Sequence, residues 1–258
     1  MACILFDVKD GIAFITLNRP DKYNAFNREM ALLLQSHLNV CKRNNDIRCV
    51  YITGAGKAFS SGQDLDEVIA PDGPEVTTIL SEHYNPIIRQ IRKLEKPVVA
   101  GVNGVAAGAG ANIALCCDVV VAAESAAFIQ AFSRIGLIPD SGGTYFLPRL
   151  IGWQKASALM MLGDKVSATE AERIGMLYKV FPDNTFTIEA QKIASTLAQM
   201  PTRGLALTKI ALNNSFINGY EDQLHDEELL QEKAGATTDY KEGVQAFLEK
   251  RKPTFKGE

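Results

Sequence analysis

Hydrophobic positions along the chain follow two periods, one for strands and one for helices. Residues 4–8 and 12–17 are short, largely apolar runs either side of Asp10-Gly11, a strong hairpin signal. Asn18-Arg19-Pro20-Asp21 ends the second run. Asn27 is suited to cap a helix, and Met30, Leu33, Leu34, Leu38 and Cys41 recur at helical spacing, predicting a helix to about residue 44. Residues 47–53 form the next predicted strand. Gly54-Ala55-Gly56 follows, then a loop of small residues from Lys57 through Ser61-Gly62-Gln63-Asp64 to Leu65. Pro71-Asp72-Gly73-Pro74 marks an exposed loop. Leu80, Tyr84, Ile87, Ile88, Ile91 and Leu94 predict one helix over 78–94.

Residues 98–110 combine three signals. An apolar β-branched run predicts a buried strand, Asn103-Gly104 a turn, and the small residues 106–111 a helix opening with Ile113-Ala114-Leu115 as its body. Val119-Val120-Val121 is another buried strand, and Phe128 begins a short one. The segment 136–143 then breaks the strand, strand, helix rhythm. Helices are predicted over 153–162, after a Ser167/Glu170 capping box, and over 186–198, 202–216, 220–236 and 240–248. The pattern is an α/β core, residues 1–195, carrying a helical C-terminal region, residues 196–258. The turns of the core are too dissimilar in sequence to be an internal duplication.

Composition narrows the partners. The 258 residues suffice to bury a sizeable core. Lys and Arg number 27 against 30 Asp and Glu, a net charge of −3 that gives no footprint for nucleic acid. Five cysteines show no metal-ligand spacing, and adjacent Cys116 and Cys117 are poor disulfide partners, so all are expected reduced. Neither a signal peptide nor a membrane-length apolar run is visible, and a cytoplasmic home is the expectation.

Two stretches carry candidate chemistry. A helix opening leaves backbone N–H groups unpartnered, and the bare stretch around Gly108 would let a ligand oxygen approach them. An oxyanion hole is one reading, and tight packing of helix on sheet is the other. Asp140 follows Pro139 and precedes Ser141-Gly142-Gly143. It is either an acid for proton transfer or the cap of the helix that follows. Phe132, Leu137 and Ile138 would raise its pKa if they face it. His37, His83 and His225 lie in helical stretches. His225 reads as exposed, and His83 is either a surface residue or an edge of an acyl pocket.

Asn18-Arg19-Pro20 with Asn24-Ala25-Phe26, the loop ending Gly62-Gln63-Asp64-Leu65, the Asn103-Gly104 to Gly110 stretch and 136–143 together resemble the crotonase superfamily of enoyl-CoA hydratases and isomerases. The resemblance runs the length of the chain, to Lys250-Arg251-Lys252-Pro253-Thr254-Phe255. It implies a spiral of ββα turns with a C-terminal helical trimerisation region, as a homotrimer or a dimer of trimers. It also implies an acyl-CoA substrate, with CoA as part of the substrate and no separate cofactor or metal. It implies that the N–H groups of Gln63 and Gly108 hold the thioester oxygen. Lys22 and Tyr23 would fold over the nucleotide, Lys57 would approach a CoA phosphate, and the Ser61 carbonyl would meet the adenine. For the lysines, a solvated surface charge is the competing reading. Gly62, Asp64 and Leu65 complete the first loop, with Tyr84 and Ile138 on the acyl side.

The two glutamates of the family's hydratases would fall at Ala111 and Phe132, where neither can ionise, whereas Asp140 lies near the acid of its isomerases. The resemblance therefore implies an isomerase acting through an enolate, with Asp140 as proton shuttle. Tyr84-Asn85-Pro86, residues 131–143 and Tyr240-Lys241-Glu242-Gly243-Val244 narrow the likeness to isomerases of aryl-epoxide CoA esters in phenylacetate breakdown. The reactions left open are ring epoxide to oxepin and 3-enoyl to 2-enoyl. The alternatives are a hydratase or other reaction of the family, and a non-catalytic scaffold subunit. A partner hydratase of the same family is a further expected partner.

Overall fold

The expected hairpin forms in the computed structural model, which describes residues 2–258. Strand β1 (Ile4–Lys9) pairs antiparallel with β2 (Ile12–Leu17). Asp10 and Gly11 both have positive φ, as a two-residue hairpin turn requires. Eight further strands follow: β3 (Cys49–Gly54), β4 (Ala58–Ser60), β5 (Val98–Val102), β6 (Val105–Ala107), β7 (Val119–Ala123), β8 (Ala127–Ile129), β9 (Lys165–Ser167) and β10 (Lys179–Phe181). They build a six-stranded sheet in the order β1-β2-β3-β5-β7-β10 and a four-stranded sheet in the order β4-β6-β8-β9. Each successive pair, β3/β4, β5/β6 and β7/β8, sends its first strand to the large sheet and its second to the small one. The chain is therefore a spiral of the kind the resemblance implies.

The apolar runs read as buried strands are buried on both faces, as parallel strands under helices must be. All five residues of β5 are buried, as are Cys49–Ile52 of β3. The helix Arg28–Arg43 covers one face with Met30, Leu34, Leu38 and Cys41, and the Asn27 side chain accepts its Met30 N–H at 3.0 Å. The helix Phe186–Gln199 approaches through Ala190, Ala194 and Ala198, one small residue per turn. Residue 195 thus lies inside a helix that packs on the sheet, and the chain leaves the core after Gln199 rather than at 195.

Asn103 and Gly104 join two turns of the spiral. Asn103 Oδ1 accepts the Gly54 N–H at 3.0 Å and Nδ2 donates to Gly56 O at 3.0 Å. A Cβ on Gly104 would lie 2.1 Å from Lys57 O, so only glycine fits there.

The predicted helix over 78–94 is really three pieces. Val76–Thr78 leads into a π-helical turn, Ile79–Tyr84, and then into Asn85–Lys93. The Asn85 N–H bonds Leu80 O, five residues back. Pro86 explains the widening: it has no N–H for Glu82 O, and its ring crowds that carbonyl. The Gln35 side chain takes the released acceptors, donating to Glu82 O at 2.7 Å and His83 O at 3.0 Å.

Two polar clasps hold the C-terminal region on the core. Lys209, 6% exposed, donates to Asp118 Oδ2 at 2.7 Å and to the carbonyls of Ile91 and Lys96. Arg92 reaches Asp118 Oδ1 at 3.1 Å and Asn213 Oδ1. Arg48, at the start of β3, donates to Thr202 Oγ1 at 2.9 Å, Phe255 O at 2.7 Å and Met200 O at 2.6 Å. All five cysteines are free and buried. Among the described residues no helix is long and apolar enough to cross a membrane.

Burial lowers the Lys209 pKa, and Asp118 opposes that shift. Asp118→Ala removes the counter-charge of both Lys209 and Arg92. Breaking a buried pair from one side costs about 3–5 kcal/mol. Urea unfolding should show a loss in that range, and a change within error would mean the cluster is stabilised by the carbonyls alone.

Candidate active site

The first loop owes its geometry to Phe26. The Phe26 N–H donates to Gly62 O at 2.7 Å, and the Asp64 N–H donates to Phe26 O at 2.8 Å. In a strand-like bridge alternate residues turn toward the partner. The Gln63 N–H is the one left pointing away, and no acceptor partners it among the described residues. Gly62 has φ +91, and a Cβ there would lie 3.0 Å from Ala107 O and 3.4 Å from Ala109 N. The two candidate loops therefore abut, backbone against backbone.

The second loop corrects the sequence reading by one residue. The Gly108 N–H is not free: it donates to Ile129 O at 2.9 Å, continuing the β6–β8 ladder. Gly108, at φ +52 and ψ −129, then turns the chain into the helix Ala109–Leu115, and its carbonyl accepts the Asn112 N–H at 3.2 Å. The first N–H without an acceptor, next to Gly62, is that of Ala109. Gln63 and Ala109, not Gln63 and Gly108, supply the adjacent pair of unpaired backbone donors. Ala106 and Ala107, read as part of a helix opening, belong to strand β6 instead. Strand pairing was invisible in composition, and it is what uses up the Gly108 donor.

The Asp140 side chain does not cap the helix that follows it. The helix Gly143–Ile151 that follows has no side-chain cap. The Asp140 carbonyl accepts the Gly143 N–H at 2.8 Å and Asn112 Nδ2 at 2.9 Å. Its side-chain Oδ1 is buried without a partner. Burial pushes the carboxyl up to about 6, and the neighbouring Ser141 hydroxyl opposes this by less. Leu137 and Ile138 do not cause the burial. Both face outward, Ile138 at 81% exposure, which also removes Ile138 from the acyl side within this chain. Phe132 is buried, its ring 3.8 Å from where a Gly108 Cβ would stand.

Tyr84 joins the two halves of the site. It is buried at the end of the π-turn, and its hydroxyl donates to Gln63 Oε1 at 2.7 Å. Gln63 Nε2 donates in turn to Glu67 Oε2 at 3.2 Å, and the Glu67 carboxylate accepts the Arg28 N–H at 2.9 Å. The Tyr84 pKa is raised well above its usual value, first by burial and then by the charge of Asp140. His83, read as a surface residue or a pocket edge, is only 1% exposed, with Nε2 unpartnered. His225 is exposed, as expected.

The remaining candidates form a rim around the first loop. Lys22, Tyr23, Lys57, Ser61 and Leu65 are all exposed. Lys22 is paired with Asp66 at 2.6 Å, and the Ser61 N–H bonds Tyr23 O at 3.0 Å. Asp64 has a different task from the one expected. It pairs with Arg19 at 2.7 Å and caps the turn Leu65–Val68, so its carboxylate is a strut of the loop. A cavity of about 550 Å3, lined by Leu115, Cys117, Asp118, Tyr178 and Leu197 among others, opens at the far end of the Ala109–Leu115 helix from Ala109. It shares no residue with the two loops. No three His, Cys, Asp or Glu side chains converge as a metal site among the described residues.

The sequence profile described as enoyl-CoA hydratase/isomerase matches residues 7–258. The chain belongs to that family. It is 47% identical, over all of its own length and 99% of the relative's, to the 1,2-epoxyphenylacetyl-CoA isomerase of Escherichia coli. It is 44% identical, over 98% of both chains, to a protein of Rhodobacter capsulatus described as a probable enoyl-CoA hydratase. Among solved structures, an enoyl-CoA hydratase from Bacillus anthracis superposes with a TM-score of 0.92 at 34% identity, covering 99% of this chain and 100% of that one. The fold is thus the crotonase fold, and the protein is a family enzyme acting on CoA thioesters.

Within that family the corrected donor moves a second position. Three residues on from Ala109 lies Asn112, not Ala111. Ala111 is buried and apolar, whereas the Asn112 side chain reaches the Asp140 carbonyl. Asn112 was overlooked although it is the one polar side chain in the run of small and apolar residues 105–115. Glu67, which steadies Gln63, carried no signal in the pattern.

The folded protein holds the Asp140 proton more tightly than the unfolded chain does, since the carboxyl rises from 3.8 to about 6. Stability is therefore lost as pH climbs through that interval and stays lower above it. Asp140→Asn should raise the melting temperature at pH ~8 and leave it nearly unchanged at pH ~4. Equal effects at both would place the Asp140 charge in solvent.

Proposed function

We propose that the enzyme is a CoA-thioester isomerase that shifts a 3-enoyl-CoA to its 2-enoyl isomer. Removing a proton from the carbon beside a thioester carbonyl leaves an enolate, whose charge collects on the carbonyl oxygen. The Gln63 and Ala109 N–H groups receive that oxygen. Removing one such donor elsewhere costs about 3 kcal/mol of transition-state stabilisation. Asp140, as carboxylate, takes the α-proton and returns it at the γ-carbon, so the double bond moves and the acid is regenerated. The observation that carries this reading is the buried, unpartnered Oδ1 of Asp140, in a carboxyl that burial pushes up to about 6. A lone acid near neutrality suits transfer in both directions. Adding water calls for a second ionisable group, and Ala111, Asn112 and Phe132 offer none.

The likeness to 1,2-epoxyphenylacetyl-CoA isomerase supports a ring-epoxide arylacetyl-CoA as a second substrate, and with it a place in phenylacetate breakdown. The reaction calls on no cofactor beyond the CoA carried by the substrate. Phe247, 82% exposed, and Leu248 leave an apolar surface on the last helix that supports assembly of copies through the C-terminal region.

Turnover of 3-hexenoyl-CoA by the purified protein tests the reading. Asp140→Asn should lower kcat by roughly 10²–10⁴-fold while acyl-CoA binding survives. The wild-type rate should fall below pH of about 6 as Asp140 takes up its proton. Efficient hydration of crotonyl-CoA with no isomerisation would overturn the assignment.

The oxyanion pair has its own test. Ala109 is the first residue of its helix, a position where proline fits because the N–H has no helical partner. Ala109→Pro deletes one donor and leaves the helix intact, and kcat should fall ~10²–10³-fold with an unchanged melting temperature. An Ala109→Pro enzyme with full activity would remove Ala109 from the mechanism.

A further inference from the structure

Three buried amide and carbonyl groups form a directed hydrogen-bond chain behind Asp140. Asn112 is 1% exposed, in the second turn of the Ala109–Leu115 helix. Its Nδ2 donates to the Asp140 main-chain oxygen at 2.9 Å, and its Oδ1 accepts Gln130 Nε2 at 2.8 Å. The direction is forced from one end. A carbonyl can only accept, so Asn112 must present Nδ2 to Asp140 and Oδ1 to Gln130. Gln130 must then present Nε2, which leaves its Oε1 buried without a partner. The amide is also held sterically, because a Cβ on Gly143 would lie 2.3 Å from Asn112 Nδ2. The acid loop is therefore hung on the same short helix that begins with Ala109.

We propose that Asn112 is a positioning residue for Asp140, and that its amide donor, which an ionised carboxylate could not supply, confines this site to single-carboxylate chemistry. The proposal rests on the reading of Asp140 as proton shuttle. An ionised carboxylate introduced by Asn112→Asp would face the Asp140 carbonyl with an acceptor and place a second negative charge beside a buried acid. The first effect loosens the hold on the Asp140 backbone, and the second disfavours its carboxylate.

The charged groups around Asp140 leave this effect legible. Tyr84, in the π-turn, feels the Asp140 charge. The Ala109–Leu115 helix carries no ionisable side chain. Arg134 donates to Gly163 O at 2.8 Å, Arg149 to Tyr145 O at 2.8 Å, and Arg92 is held by Asp118. His83, earlier in the π-turn, feels the charges of Glu67, Arg28 and Glu82.

The test compares Asn112→Asp and Asn112→Ala with wild type. The Asp140 carboxyl is titrated directly by carbon NMR of aspartate-labelled protein, and kcat and KM for 3-hexenoyl-CoA are measured across pH. In Asn112→Asp the Asp140 titration and the acid limb of kcat should both move up by about one unit or more, with KM little changed. The melting temperature of that variant should recover toward wild type at low pH, where the introduced carboxyl is protonated and can donate as the amide does. Asn112→Ala, which adds no charge, should lose kcat on the order of 10–100-fold through misplacement of the acid, without that recovery. An Asp140 titration unmoved in Asn112→Asp, or a wild-type kcat in Asn112→Ala, would overturn the proposal. A wild-type protein that fails to isomerise any enoyl-CoA, with the Asp140 titration still displaced in Asn112→Asp, would instead count against the proposed reaction and leave the positioning role standing.

Discussion

The backbone of Gly108 is the constraint on which the site depends. Its N–H completes the ladder of the small sheet on Ile129, and its carbonyl begins the next helix on Asn112. One residue thus ends a strand and starts a helix with no spacer. It can do so only at a positive φ, where a side chain would be strained. Because both of its own groups are used, the next N–H is released, at a place set by strand pairing rather than by a mobile loop. Gly62 repeats the device on the other side, with Phe26 holding the groups on either side of Gln63. The two donors are aimed by sheet geometry, which is what preorganisation requires.

Asp140 works against the same background. Proteins bury a carboxylate reluctantly, and here burial leaves it with an unpartnered oxygen. The surroundings support its backbone and not its charge. Asn112 and Gly143 hold the carbonyl, Ser141 adopts a positive φ at 51°, and the side chain is left free to exchange a proton. Strain and poor solvation gathered at adjacent residues are a common mark of a functional site.

Much of this was legible in the order of residues. The hairpin at Asp10-Gly11, the Asn27 cap, the Ser167 cap and the continuous apolar strands follow from local chemistry, and each forms where the pattern puts it. The positions of the two loops and of Asp140 were legible too. What escaped depends on neighbours distant in sequence. Which N–H a second strand claims decided between Gly108 and Ala109. Whether Ile138 faces in or out is settled by the turn after Gly136, and the Asp64 carboxylate is taken by Arg19, 45 residues away. The Pro86 signal was present, but its effect, a wider turn that buries Tyr84, needed Gln35 on another helix to receive the displaced carbonyls.

The Arg48 clasp bears on how the chain comes to be made. Its guanidinium is satisfied by Met200 O, Thr202 Oγ1 and Phe255 O, the last 207 residues downstream. On the ribosome the strands around Arg48 emerge and pair long before those acceptors exist. The nascent spiral therefore carries a solvated arginine at the foot of β3 until residues 200–202 have been made. Closure of the clasp follows the pairing of those strands, and an emerging polypeptide can complete its sheet while the helices after Gln199 are still undocked.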